Sequence, residues 1–429
     1  MKRGITVFVT VMLCLAGPYT ARATTQVDSL IEKLVDKGIL TKQEAIKLKG
    51  DIASDEKVAR EEGFKQSLPD WVQKMKLSGD LRLRYQYDLR KNSSNAPSVT
   101  RTRGRLRFRM GVETKINDQI KVATGIASGS ADPRSTNATF ENSFEKPDIR
   151  LDYGYAEYAP APWVKMVGGK FIFKDYLWET TDMLWDTDIN PQGASIHFEK
   201  DILTSNRWGK LTPFLNGGVW TVDESSSSHD DPTMHYAQPG FKWTQTSGAN
   251  ALDATFAGIY YGFTGVQGSL LDNSSCTNSG LTLVGSTCTG TLTHDFDSIG
   301  GSAEIGIQDP FGIPVQRIAI FGDYIRNFDL NDDNIGWSAG FKIGDKKVVG
   351  PRTWQVKYIY ARLQKDAFPD TFPDSDRYTG FTDVESHEAL FEYGLTKNVS
   401  LGLDYYHSMR MKARELPEDE FQGDVVFKF

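Results

Sequence analysis

Arg101-Thr-Arg-Gly-Arg-Leu-Arg-Phe-Arg-Met110 places an arginine at every second position: Arg101, Arg103, Arg105, Arg107 and Arg109. Between them stand Thr102, Gly104, Leu106, Phe108 and Met110. A helix would spread the charges around its circumference. A strand, whose side chains alternate at period 2, gathers all five arginines on one face and the bulky apolar groups on the other. A face of five arginines must meet water, so the opposite face must meet a protein core or lipid.

The segment before it, Met75-Lys-Leu-Ser-Gly-Asp-Leu-Arg-Leu-Arg-Tyr-Gln-Tyr87, repeats the pattern. Met75, Leu77, Leu81, Leu83, Tyr85 and Tyr87 share one face, while Lys76, Asp80, Arg82, Arg84 and Gln86 share the other. Two adjoining strands with one wet, basic face fit the wall of a transmembrane barrel. A β-sandwich with a basic outer face fits this hairpin equally well, so the rest of the chain has to discriminate.

The chain begins with Met1-Lys2-Arg3, an apolar run from Ile5 to Leu15 and the small-residue pair of Ala21-Arg22-Ala23, the pattern of a secretory signal peptide cleaved after Ala23. Cys14 follows Leu13 rather than a small residue, which argues against lipid attachment. Losing Lys2, Arg3 and Arg22 takes the formal net charge from −7 to −10, which argues against a nucleic-acid partner. Cys276 and Cys288 then remain, twelve positions apart, and an exported chain favours a loop disulfide between them. Hydrophobic content is 39% with abundant glycine, and no apolar run reaches the 18 residues of a membrane helix. Many half-polar strands suit that composition better than one large buried core.

Residues 24–70 differ in character from the rest of the mature chain. Val27, Leu30, Ile31, Leu34 and Val35 recur at helical spacing, and Thr41 with Glu44 forms a capping box for a second helix. The apolar stripe is thin, so this periplasmic, coiled-coil-like segment reads as an oligomerising helix, a piece lying against the cell wall, or a solvated spacer.

From residue 75 the chain alternates strand and turn to its end. Period-2 runs fall near 75–90, 101–116, 119–129, 149–160, 164–173, 193–200, 211–224 and 234–245. They continue near 252–266, 297–307, 315–328, 334–345, 353–364, 383–397, 398–410 and 419–429. Sixteen is an even number, as a barrel with both ends on one side requires. With the N-terminus in the periplasm, the inward connections are short, such as Asn117-Asp118, Ala161-Pro162-Trp163 and Thr396-Lys397-Asn398. The outward ones, 130–148, 174–192, 225–233, 267–296 and 365–382, are long and polar. A sandwich or propeller has no reason for that asymmetry, and the predicted fold is an all-β transmembrane barrel of about sixteen antiparallel strands over residues 75–429. Phe421, Val425, Phe427 and Phe429 share one face of the final strand, which resembles the assembly signal that bacterial barrel assembly machinery reads at Phe429.

One outward loop stands apart. Residues 174–193 hold Asp175, Glu179, Asp182, Asp186 and Asp188 against Lys174, together with Leu177, Trp178, Leu184 and Trp185. Apolar groups of that size need something to pack against, and inside a sixteen-stranded barrel it is the inner wall. The loop folded inward would set its acids across the lumen from a basic ladder of Arg82, Arg84, Arg101, Arg103, Arg105, Arg107 and Arg109. The result is a charge-screening aperture.

Leu30-Ile-Glu-Lys-Leu-Val-Asp-Lys-Gly-Ile-Leu-Thr-Lys-Gln-Glu-Ala45 and Leu184-Trp-Asp-Thr-Asp-Ile-Asn-Pro-Gln-Gly193 resemble the family known as putative porins, and the resemblance extends over the mature chain. It implies a passive outer-membrane channel for small hydrophilic solutes, a homotrimer, and a constriction by the third outward loop. Gln192 departs from the acid that the resemblance leads one to expect there.

Rival classes leave weaker traces. The six histidines (His197, His229, His235, His294, His387 and His407) show no metal-ligand spacing, and the lipid-side neighbours expected around His387 offer no nucleophile, so neither an enzyme nor a cofactor is expected. A barrel sheathing an electron-carrying partner would need an emptier lumen. A surface adhesin would use the long loop 267–296 with its cysteine pair.

Overall fold

A computed structural model of the chain describes residues 30–38, 40–51, 69–91, 97–224, 231–247 and 250–429. The chain separates into two compact units, Met1–Gln73 and Lys74–Phe429. The predicted cleavage site after Ala23 lies outside the described residues. In the first unit, residues 30–36 and 42–51 are helical. The Thr41 backbone N–H donates to Glu44 Oε2 at 2.9 Å, and the Glu44 N–H donates back to Thr41 Oγ1 at 3.3 Å, a reciprocal cap. Ile31 and Ala45 are buried, while Leu30 and Ile46 are exposed.

The second unit is a closed ring of sixteen antiparallel strands. They are β1 (Lys76–Arg90), β2 (Val99–Lys115), β3 (Ile120–Ser128), β4 (Ile149–Ala161), β5 (Val164–Lys170), β6 (Gln192–Glu199), β7 (Gly209–Thr221) and β8 (Thr233–Ser247). The second half supplies β9 (Asn250–Thr264), β10 (Ser298–Gln308), β11 (Arg317–Asn327), β12 (Ile335–Gly344), β13 (Trp354–Leu363), β14 (Val384–Gly394), β15 (Val399–Arg410) and β16 (Ala413–Lys428). Each predicted segment has its counterpart. The last strand starts six residues before the predicted 419, because β15 turns into β16 through residues 411–412 alone.

Closure is made by β16 on β1, with Leu83 opposite Val425 and Tyr87 opposite Phe421. At the chain end, Gly79 and Phe429 exchange backbone hydrogen bonds at 2.9 and 3.0 Å, and the Phe429 ring stacks with Phe108 at 6.4 Å. A closed ring leaves no unmatched edge, the one way a sheet can sit in hydrocarbon. The outward face carries exposed apolar side chains around the ring, among them Leu83, Tyr85, Val219, Ile299, Ile320 and Leu403.

Where β3 stops at Ser128, the loop 129–148 takes over pairing with β2. Ala138 and Thr139 stand opposite Leu106 and Arg105, and the Phe140 N–H donates to the Gly104 carbonyl at 2.9 Å. Lower down, the Tyr153 ring lies over Gly111 and Gly125. A Cβ at Gly125 would come within 2.3 Å of it. The aromatic ring supplies the contact that two side-chain-free strand positions lack. Gly125→Val is expected to destabilise the barrel by about 1–3 kcal/mol through overpacking, visible as a lower temperature for loss of the fast-migrating folded band in heat-modifiability gels; an unchanged temperature would refute the packing argument.

Candidate functional site

The lumen is built from two unlike halves. On the side of β7 to β13, apolar inward side chains meet three loops from the long-loop end: residues 171–191, 265–297 and 364–383. Trp220, Tyr236, Ile259, Tyr261, Phe263, Phe321, Ile325 and Ile359 from the wall form one buried cluster with Phe173, Leu177, Met183, Leu184 and Trp185 of the first loop. Val266, Leu271, Leu292 and Phe296 of the second and Ala367 and Phe368 of the third complete it. At its centre, Trp185 lies 5.2 Å from Trp220, 5.4 Å from Phe368 and 4.6 Å from Phe372, ring to ring.

Polar wall residues satisfy the backbone of the inserted loop. Gln238 accepts from the Trp178 N–H at 2.8 Å and donates to its carbonyl at 2.7 Å. Asp323 accepts from the Thr180 N–H at 3.0 Å and from the hydroxyls of Thr180 and Thr181. These partners replace the water a loop would otherwise keep.

The other half of the lumen is charged. Residues pair directly across β1 and β2, so Arg82 stands opposite Arg107 and Arg84 opposite Arg105, on the inward face. Carboxylates interleave them. Asp80 accepts from Arg107 and Arg109, each Nε bond at 2.9 Å. Asp88 accepts from Arg103 at 2.8 Å, and Asp424 on β16 holds Arg84 through Nε and Nη2 at 2.8 and 2.9 Å. Arg101 sits at the exposed outer end of β2. The arginines are therefore a partnered array rather than a bare positive stripe.

The acids of the 174–193 segment part company. Asp188 reaches the array, with Arg109 Nη1 at 3.4 Å and hydrogen bonds from the Thr136 N–H and hydroxyl. Asp182 pairs with Arg377 at 3.0 Å, and Asp186 accepts from the Ser375 N–H at 2.9 Å. Glu179 points the other way, into the aromatic cluster, where it accepts from the Tyr261 hydroxyl at 2.9 Å. Asp175 is exposed. Gln192 and Gly193 belong to β6 rather than to the loop.

Residues 364–383, which contain the connection 365–382 expected on the long-loop side, cross the lumen. Phe368 and Phe372 anchor in the apolar half, and Asp374, Ser375 and Asp376 run from there to the arginines. Asp376 lies 3.0 Å from Arg84 Nη1, and Arg377 joins Asp182 and Glu388 of β14, the latter at 2.7 Å. Lys357 of β13 also pairs with Glu388, at 2.9 Å. The loop 129–148 contributes Arg134 and Asn137; Asn137 accepts from Arg82 Nη2 at 2.7 Å. The clue in sequence was the one that marked residues 174–193: Phe368, Phe372 and Tyr378 lie among Asp366, Asp370, Asp374 and Asp376.

The second long loop fastens the third. Asp370 accepts from the N–H groups of Thr277 and Asn278 and from the Ser274 hydroxyl, and Asn278 donates to the carbonyls of Lys365 and Phe368. Cys276 and Cys288 are joined in a disulfide at the base of this contact.

Burial pushes the carboxyls of Asp186, Asp188, Asp374 and Asp376 up, and their neighbours then divide them. Arg107, Arg109 and Arg82 bring Asp188 below the ordinary value, and Arg84 with the Gln422 side chain does the same for Asp376. Asp186 and Asp374, facing other acids, stay well above it. A polar cavity of about 630 Å³ opens at the long-loop end and another of about 380 Å³ lies below it. Arg134, Asn137, Ser375 and Asp376 line both, which places them at the neck between the two.

Glu179 yields a test of the loop's docking. Burial and then Asp323 raise its carboxyl well above the ordinary value. A raised folded-state value means that docking is most stable at acid pH, below the ordinary carboxylate range, and weakens as pH climbs towards the raised value. Thermal stability of the folded barrel is expected to decline over that interval, and Glu179→Gln to flatten the decline; a wild-type profile already flat there would contradict the assignment.

The high-pH structure of OprB from Pseudomonas putida superposes with a TM-score of 0.51 at 10% identity, covering 83% of this chain and 94% of that one. The outer-membrane channel DcaP of Acinetobacter baumannii matches at 11% identity, covering 83% and 97%, with a TM-score of 0.42. A loop L8 deletion mutant of OmpT, an outer-membrane protein of Vibrio cholerae, gives 11% identity, 83% and 99% coverage and a TM-score of 0.42. No curated protein matches the chain significantly in sequence. The OprB likeness is one of fold, whereas a family model matches residues 46–100, 94–310 and 315–429: the chain belongs to the outer-membrane family described as "putative porin".

Proposed function

We propose that this barrel is a passive diffusion channel for small polar and charged solutes, with its aqueous path confined to the charged half of the lumen. The observation that carries the reading is the pair of polar cavities meeting at Arg134, Asn137, Ser375 and Asp376. Arginines bound the path on one side, and loop carboxylates bound it on the other. Such an aperture screens solutes by size and by charge distribution. Because Asp80, Asp88, Asp376 and Asp424 already engage the arginines, the ladder's positive field is largely neutralised and ion selectivity is weak.

In this reading residues 1–23 direct export, Phe429 serves assembly into the outer membrane, and three copies associate. The inserted loops favour a channel over a sheath for a partner protein, since the apolar half of the lumen is already filled. They also count against an adhesin built on loop 267–296, which is tied inward to residues 364–383.

Single-channel recording of the refolded mature protein in a planar bilayer tests the proposal. Openings in steps of three and a reversal potential close to zero under a KCl gradient are expected. Asp376→Asn, by removing a carboxylate beside Arg84, is expected to shift the reversal potential towards anions. A folded but silent barrel would overturn the channel, and an unchanged potential in the variant would remove Asp376 from the path.

A further inference from the structure

The lower cavity, of about 380 Å³, holds opposed charged groups with unused hydrogen-bonding capacity. Among the described residues, Asp374 Oδ2 accepts no hydrogen bond, although the Asp374 side chain is only 9% exposed. Its ionic neighbour, Arg377, is 3.8 Å away and is already engaged by Asp182 and Glu388. Asp404 Oδ1, on the inward face of β15, likewise accepts none from a described residue. On the arginine side, the Arg82 Nε–H is buried without an acceptor among the described residues, while its Nη atoms reach Asn137 and Asp424. All three residues line this one cavity.

Unmet buried donors and acceptors are costly, and charged ones more so. Turned to the cavity face by a side-chain rotation, they can be satisfied by water, and more strongly, through charge-assisted bonds, by a solute bearing complementary charges. A simple anion would meet Arg82 and then face the carboxylates. A simple cation would meet the carboxylates and then face the arginines. A small solute with both charges offends neither wall. Burial, and after it the negative charge of Asp182 and Asp186, raises the Asp374 carboxyl, and an arriving ammonium would offset the second of these.

We propose that the lower cavity is a binding site for small zwitterions of the α-amino-acid type, taking the carboxylate at Arg82 and the ammonium on the Asp374–Asp404 side. The site deepens the channel reading and rests on it: the cavity lies on the solute's path, so an occupant interrupts the ion current.

The test records KCl current through the refolded full barrel while adding either L-glutamine, a zwitterion, or xylitol, an uncharged polyol of similar size. Glutamine is expected to half-block the current at a concentration at least about fivefold below that needed for xylitol, the scale of one charge-assisted contact. Asp374→Asn and Arg82→Gln should each bring the two concentrations together, in channels whose open current shows that the barrel has formed. Equal block by glutamine and xylitol in the wild type would overturn the zwitterion site and leave the channel standing. A wild-type barrel that passes no current would remove the channel and the site with it.

Discussion

Hydrocarbon offers a backbone no hydrogen-bond partner, and that constraint organises this molecule. Sixteen strands close because an open sheet would leave a row of N–H and C=O groups unmatched, and the last pairing, Gly79 with Phe429, completes the ring at the final residue. Once the outer face is committed to lipid, the inner face is left with the polar alternates. Over β14 to β3 these are arginines and carboxylates; over β7 to β13 many are aromatic or aliphatic. The second set cannot face water over so wide an area, and the long loops fold in to cover it.

The apolar half and the charged half are thus one device. Trp185, Phe368 and Phe372 hold two loops against the wall, and only because they are held can Asp188 and Asp376 stand at fixed distances from Arg109 and Arg84. Arg377 stitches the arrangement laterally, reaching one loop through Asp182 and the wall through Glu388. A buried guanidinium among three carboxylates would be unfavourable alone; here its geometry ties three segments together, a role in specifying one arrangement rather than in adding net stability.

Much of this was legible in the residues. Period-2 alternation identifies each strand because a barrel wall imposes opposite solvents on its two faces, and β1 and β2 state the rule most plainly with Arg82, Arg84 and Arg101 through Arg109. Leu184 and Trp185, standing among acids, mark residues 174–193 as a segment that needs something to pack against. What sequence hid were partners distant along the chain. Asp424 lies 340 residues from Arg84, and Asp376 lies 292 from it; no local pattern joins them. The 364–383 loop carries the same mixture of aromatic and acidic residues as its neighbour, yet reading the chain for connections placed it only on the long-loop side, as long and polar. Glu179 looked like any other acid of its loop, and only the fold turns it away from the arginines.

The loop-upon-loop fastening also sets an order in time. Residues 171–191 rest on residues 364–383, which rest in turn on residues 265–297 with their disulfide. The earliest of these segments in the chain therefore cannot settle until the latest has arrived, nearly two hundred residues on. The narrow passage is the last part to be finished rather than the scaffold on which the wall is raised. A chain caught before its final strands close would carry the arginines of β1 and β2 with Asp80 and Asp88 alone, still without Asp376 and Asp424, facing a wide and unfurnished interior.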